Sequence, residues 1–210
     1  MSKHFSQANA LVENAGEVLS EIERLYVEDL QRSNISDRLL VKIKTYLESL
    51  RSALEYCAQG LSERYGTEKD KSKISFPYAK LSVTQEHFTK NRFIENRIPG
   101  LAANRPDVEK YILSMQHFSD PRCRWFPQFM ELTNKNKHIE LTPHEKFEGV
   151  KVVSGGLTII AQGVRGNIEG EVSKWDAFLI EGVEWPMTAI EFLRHCHRAI
   201  SVVTKQLSSM

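Results

Sequence analysis

Cysteine is scarce in this chain. Cys57, Cys123 and Cys196 are far apart and odd in number, with no CxxC pair and no zinc-ligand spacing. That excludes a disulfide-stapled mini-protein and predicts three reduced thiols in a reducing cytoplasm. Long apolar runs are missing as well: no stretch approaches the ~20 residues a membrane helix needs. The opening MSKHFSQANA lacks the apolar core of a secretion signal, so the expected location is cytoplasmic, with no membrane partner. Charge of one sign is not in excess. Lys plus Arg number 28 and Asp plus Glu 27, a formal net charge of +1. Coating nucleic acid or membrane by bulk charge is excluded, although a local basic patch is not. No Gly-rich phosphate loop, GxSxG, HExxH or EF-hand string occurs, so neither a metal nor a cofactor is expected.

What is present suits a single globular domain of 210 residues. Hydrophobic residues make up 41% and charged residues 26%, enough to bury a core. Leu11, Ala15, Val18, Ile22 and Leu25 recur every three or four residues, the period of an amphipathic helix over 8–31. Polar QRSN interrupts it. Ser36 and Asp37 offer capping oxygens to a second helix over 36–65, whose stripe runs from Leu39 and Ile43 to Leu61 before Gly66 stops it. Two such helices joined by a short turn should pack antiparallel, because each stripe needs a partner.

Further on, Ser82-x-x-Gln85 has capping-box spacing for a short helix to about Asn91. Asn104 to Pro106 can start another helix. Asp120-Pro121 pairs a cap with an N1 proline ahead of an aromatic stretch, Trp125 to His138, in which Pro127 should reset the helix start. Seven of the eleven glycines then lie between Gly149 and Gly182. Val150, Val152 and Val153, then Leu157, Ile159 and Ile160, flank Ser154-Gly155-Gly156, a β-hairpin signal, and Phe178-Leu179-Ile180 suggests another strand. Thr188-x-x-Glu191 is a second capping box, opening a final helix over 188–208. The expected architecture is mainly α: a helical bundle over 6–145, a small antiparallel β-hairpin or sheet over 148–185, and a C-terminal helix that rejoins the bundle.

His195-Cys196-His197 does not form a metal site on a helix, where neighbours point about 100° apart. The stretch with chemical content is Thr133 to His138, TNKNKH. A histidine can move protons near neutral pH, an Asn amide can orient an oxygen, and lysines can neutralise phosphate. The plain alternative is a polar helix end, where Lys and His favour the negative dipole. Charge is segregated along the chain. Residues 1–31 carry six acids and two bases, whereas 64–97 carry eight bases and four acids. Between Arg122 and His138 there are four bases, Arg122, Arg124, Lys135 and Lys137, against one acid.

Four short motifs resemble a group of bacterial uncharacterised proteins. LRSALEY (50–56), Phe76-Pro77, Gln116-His117-Phe118 and Asn134-x-Asn136-Lys137-His138 follow the order LRSALDH, FPI, QPY and NxDKHR of that group. The polar N-x-x-x-H stretch late in a helical chain also resembles the HEPN superfamily, with its RNxxxH motif and many metal-independent ribonucleases of toxin–antitoxin and phage-defence systems. The resemblance implies a HEPN-like bundle, a homodimer that pairs its motifs, and RNA as partner. It also implies His138 as acid/base, Asn134 orienting phosphate, and Lys135, Lys137, Arg122 and Arg124 as phosphate-binding residues. Thr133 departs from the pattern: it stands where the arginine would be and cannot stabilise phosphate charge. The competing expectation is a non-enzymatic interaction module. In it the 134–138 cluster ties the bundle together near Phe76-Pro77 and the β segment offers an edge to a protein partner.

Overall fold

The computed structural model describes residues 2–32, 35–67, 70–135, 146–154, 157–161, 171–178, 180, 183 and 188–210, with the strand residues described by their backbone. Two long helices come first in the chain, α1 (Lys3–Arg32) and α2 (Asp37–Tyr65). Along α1 the buried residues Phe5, Ala8, Val12, Ala15, Leu19 and Ile22 follow the 3-4 spacing that puts them on one face. Along α2 they are Leu39, Ile43, Leu47, Leu50, Leu54 and Leu61. The turn between them is fixed by Ser36. Its hydroxyl accepts from Leu39 N at 3.2 Å as the cap of α2, while its own N–H and O–H both donate to buried Asp29 at 2.7 and 2.8 Å.

A run of short helices follows: α3 (Gln85–Lys90), α4 (Phe93–Arg97), α5 (Leu101–Asn104), α6 (Pro106–Ser114) and α7 (Trp125–Lys135), of which α5 and α7 pack on α2. Pro127 sits in the first turn of α7, where its missing N–H would have had no helical acceptor, so the helix runs through it. The cap of α3 is Thr84, which accepts from His87 N, and not Ser82. Residues 80–83 are already spent in a turn closed by Val83 N on Lys80 O.

Last comes α8 (Ala189–Ser209), opened by a complete capping box in which Thr188 and Glu191 satisfy each other's backbone N–H groups. Its buried face, Phe192, Leu193, Cys196, Ile200, Val203 and Leu207, closes on α1 and α2. Two bonds, the first of them buried, fix that closure. Tyr46 Oη donates to Leu193 O at 2.7 Å, and the His197 ring meets Val12 O at 3.1 Å.

The expected HEPN-like bundle with a β-hairpin or sheet insertion before the C-terminal helix is corrected here. Among the residues described with their side chains, the chain is mainly helical and contains no strand. The physical reason lies in the stripes: those of α1, α2 and α8 bury one another, so the core is closed by helix on helix. Ile180, expected in a strand, lies outside regular structure and is buried in that core; Leu179 and the turn at Gly155-Gly156 lie outside the described residues. Outside the residues described with their side chains, between α7 and α8, the backbone alone traces β1 (Lys146–Ser154), β2 (Leu157–Ala161) and β3 (Glu171–Phe178), antiparallel in the order β2-β1-β3.

Candidate functional site

Arg51 and Glu55 are four residues apart on α2, so they share a face. Arg51 Nε donates to Glu55 Oε1 at 2.7 Å, and both side chains are largely buried. The second Glu55 oxygen accepts the backbone N–H of Phe76 at 2.7 Å. This bond pins the extended stretch 74–80, in which Ile74, Phe76 and Ala79 turn into the core while Tyr78 stays half-buried. The Arg51 guanidinium carbon lies 5.7 Å from the centre of the Tyr78 ring, within cation–π reach. From α7, Asn134 Nδ2 donates to Tyr78 Oη at 2.9 Å. From the end of α6, buried Gln116 accepts Ala79 N–H at 2.9 Å and donates to Ile112 O.

The four short motifs therefore converge on one segment, each supplying a bond to 76–79 or belonging to it. Beside that segment opens a cleft of about 430 Å³. Its wall carries three cations, Arg51, Lys80 and Arg97, two aromatic faces, Tyr78 and Phe93, and the Asn134 amide. Arg51 is engaged with Glu55. Lys80 and Arg97 are exposed and make no ion pair among the described residues. The arrangement suits an anion with a flat apolar part: cations for its charge, ring faces for its plane, an amide for an edge.

Of the residues singled out in the sequence, Asn134 lies in the cleft. Lys135 ends α7, with its side chain outside the described residues, where Lys137 and His138 also lie. Arg122 and Arg124 are exposed in the turn before α7 and are not among the residues that line this cleft. Arg122 is closed on Asp120, whose carboxyl is held below the usual carboxylate range by the hydrogen bonds from the Arg122 side chain and backbone. Thr133 is buried and donates its hydroxyl to Met130 O, so position 133 faces the core of its own helix and not the cleft.

Sequence reasoning missed Arg51, Tyr78, Lys80, Phe93 and Arg97 as site residues. Two signals pointed there: the i,i+4 Arg–Glu pair inside LRSALEY and the excess of bases over 64–97.

The thiols carry no chemistry at this site. Burial pushes Cys57 up to about 12 and raises Cys196 well above the ordinary thiol range, which leaves both protonated and inert. Among the described residues no group of three His, Cys, Asp or Glu side chains could hold a metal ion, and no helix is long and apolar enough to cross a membrane.

No family model matches the chain, and no curated protein or solved structure does. The functional reading therefore rests on the cleft.

Proposed function

We propose that this chain binds single-stranded RNA in the cleft between α2, the 74–80 segment and α4. One observation carries the reading. Three cations and two aromatic faces line a single cleft, and two of those cations have no ion-pair partner among the described residues. Phosphates attract Lys80 and Arg97, unstacked bases lie against Tyr78 and Phe93, and Asn134 faces the bound chain. A double helix offers no free base face for such rings, so the single strand is favoured. The near-zero net charge of the whole chain fits local rather than bulk attraction.

The test is fluorescence anisotropy of labelled single-stranded RNA titrated with the full chain at several salt concentrations. Wild type should bind with affinity that falls as salt rises. Lys80→Glu and Arg97→Glu should each weaken binding across sequences and flatten the log–log salt slope by roughly 0.7 for each phosphate that is no longer neutralised. Both residues are exposed, so the variants keep the fold. Failure of wild type to bind, or unchanged binding by both variants, overturns the reading.

A second reading, a non-enzymatic module in which Asn134 is structural, has its own support in the Asn134–Tyr78 bond. Asn134→Ala separates the two. A lower melting temperature with RNA affinity unchanged assigns Asn134 to the fold, and weaker RNA binding with the melt unchanged assigns it to the cleft.

A further inference from the structure

We infer that the site takes two consecutive nucleotides, with Phe93 as the divider between their bases and Arg97 as the clamp on the phosphate that joins them. This rests on the RNA reading above and names the unit that is read. A second hollow, of about 370 Å³, adjoins the first. Phe93 and Arg97 line both, and His87, Asn91 and Asn96 complete the second. Each volume falls within the ~300–1,000 Å³ of sites that enclose one small organic ligand. The residues common to the two hollows are one aromatic ring and one guanidinium. A dinucleotide places the matching groups there: one base against Tyr78 in the first hollow, one against His87 in the second with Phe93 between them, and one phosphodiester that joins the two.

Phe93 is held for that role. Its ring stacks on buried Phe88 with centroids 4.9 Å apart and planes 17° from parallel, which covers one face and leaves the other face and the ring edge to the ligand. The chain reverses just before it at Arg92, a non-glycine residue in the left-handed region with φ 51°. That costly conformation fixes where α4 begins and hence where Phe93 and Arg97, at the two ends of that helix, are presented. The His87 ring, which lines the second hollow and not the first, lies 6.0 Å from the Phe93 ring at a tilt of 55°. One side-chain N–H of Asn91 is given to His87 O and one of Asn96 to Asn91 O, each at 2.8 Å, which orients both amides. Their carbonyl oxygens are then the groups left to accept from a base edge.

The experiment displaces a labelled RNA from the full chain with adenosine 5′-monophosphate, with its 5′-phosphorylated dinucleotide, and with the tetranucleotide. The dinucleotide should compete roughly tenfold better than the mononucleotide, the gain of one stacked base and one phosphate, and the tetranucleotide should add much less. Phe93→Ala should erase the step from one nucleotide to two. Because loss of that ring also disturbs its packing on Phe88, His87→Ala, at an exposed position, serves as the second variant. It should lower dinucleotide affinity and leave mononucleotide affinity unchanged. If RNA binds but mono- and dinucleotide compete equally, or the step survives His87→Ala, the two-nucleotide inference is overturned and the RNA reading stands. If no RNA binds at all, both are overturned.

Discussion

Glu55 of α2 accepts the backbone N–H of Phe76 at 2.7 Å with one carboxylate oxygen and holds Arg51 with the other. One side chain therefore sets both the cation on the cleft wall and the path of the 74–80 segment opposite. Replacement by alanine leaves a half-buried N–H without its acceptor, which costs about 1–3 kcal/mol. For a chain of this size each kcal/mol lowers Tm by about 2–4 °C. Glu55→Ala should therefore melt several degrees below wild type. Glu55→Gln keeps an acceptor oxygen and should lose less. Thermal melts of the three proteins check this, and a Glu55→Ala melt that overlays wild type would show that the bond holds nothing in place.

The helical frame was legible because its cause is local. The stripes of α1, α2 and α8 are written at 3-4 spacing, and the caps at Ser36 and Thr188 stand where the sequence puts them. Thr84 was less legible, because Ser82 has equal capping chemistry and only the turn at 80–83 decides between them. The cleft was hardly legible at all. Arg51, Tyr78, Arg97 and Asn134 come from four separate segments, and what joins them is long-range packing that no window of sequence contains. Asn134 was found because it lies in a compact polar run. Arg51 does not stand out in the sequence, because an i,i+4 Arg–Glu pair also reads as routine support for an exposed helix.

Gly60 lies inside α2, where alanine would ordinarily gain about 1 kcal/mol of helix propensity. Packing reverses that sign. A Cβ built at Gly60 would stand 2.8 Å from the Phe5 ring, which is fully buried and has no room to retreat. Forcing a methyl into such a contact costs about 1–3 kcal/mol, so Gly60→Ala should be net destabilising. Gly16 is the contrast. Its Cβ would meet the half-buried His197 ring at 3.1 Å, a contact that a shift of a few tenths of an ångström relieves. Denaturant melts should place Gly16→Ala closer to wild type than Gly60→Ala, and the reverse order would contradict this account of how α1 seats on α2.

Thr133 occupies the place of the arginine in the RNxxxH pattern, which invites the substitution Thr133→Arg as a way to create nuclease chemistry. The fold forbids it. Thr133 is 2% exposed and its hydroxyl is spent on Met130 O. A guanidinium there would carry its charge into the buried packing of α7, a class of change that can reach ~4 kcal/mol. Thr133→Arg should therefore express as poorly folded protein, with a Tm far below wild type in differential scanning calorimetry. A well-folded variant would mean that position 133 can turn toward the cleft.

Acid should loosen this protein well before its carboxylates protonate. Burial, followed by the nearby Arg124 charge, lowers the His117 pKa below the ordinary 6.5. Burial, followed by Arg198, does the same to His195, which packs edge-on against Trp125. The His117 Nδ1 is enclosed with no hydrogen-bond partner, and the backbone of Leu81 and Val83, which favours the protonated ring, offsets the lowering only in part. Each group is a base whose folded pKa is depressed, so the unfolded chain binds more protons as pH falls. Its contribution to stability is complete above about pH 6.5 and is lost as pH drops from there through the folded value. Asp107, held down at about 2 by Arg105, has its window below the usual carboxylate pKa and does not overlap. The Tm of wild type should therefore fall between pH 7.5 and 5, and the double variant His117→Gln, His195→Gln should show a flatter profile over that interval. A profile equally steep in the double variant would assign the acid sensitivity to other groups and leave these two rings without a part in it.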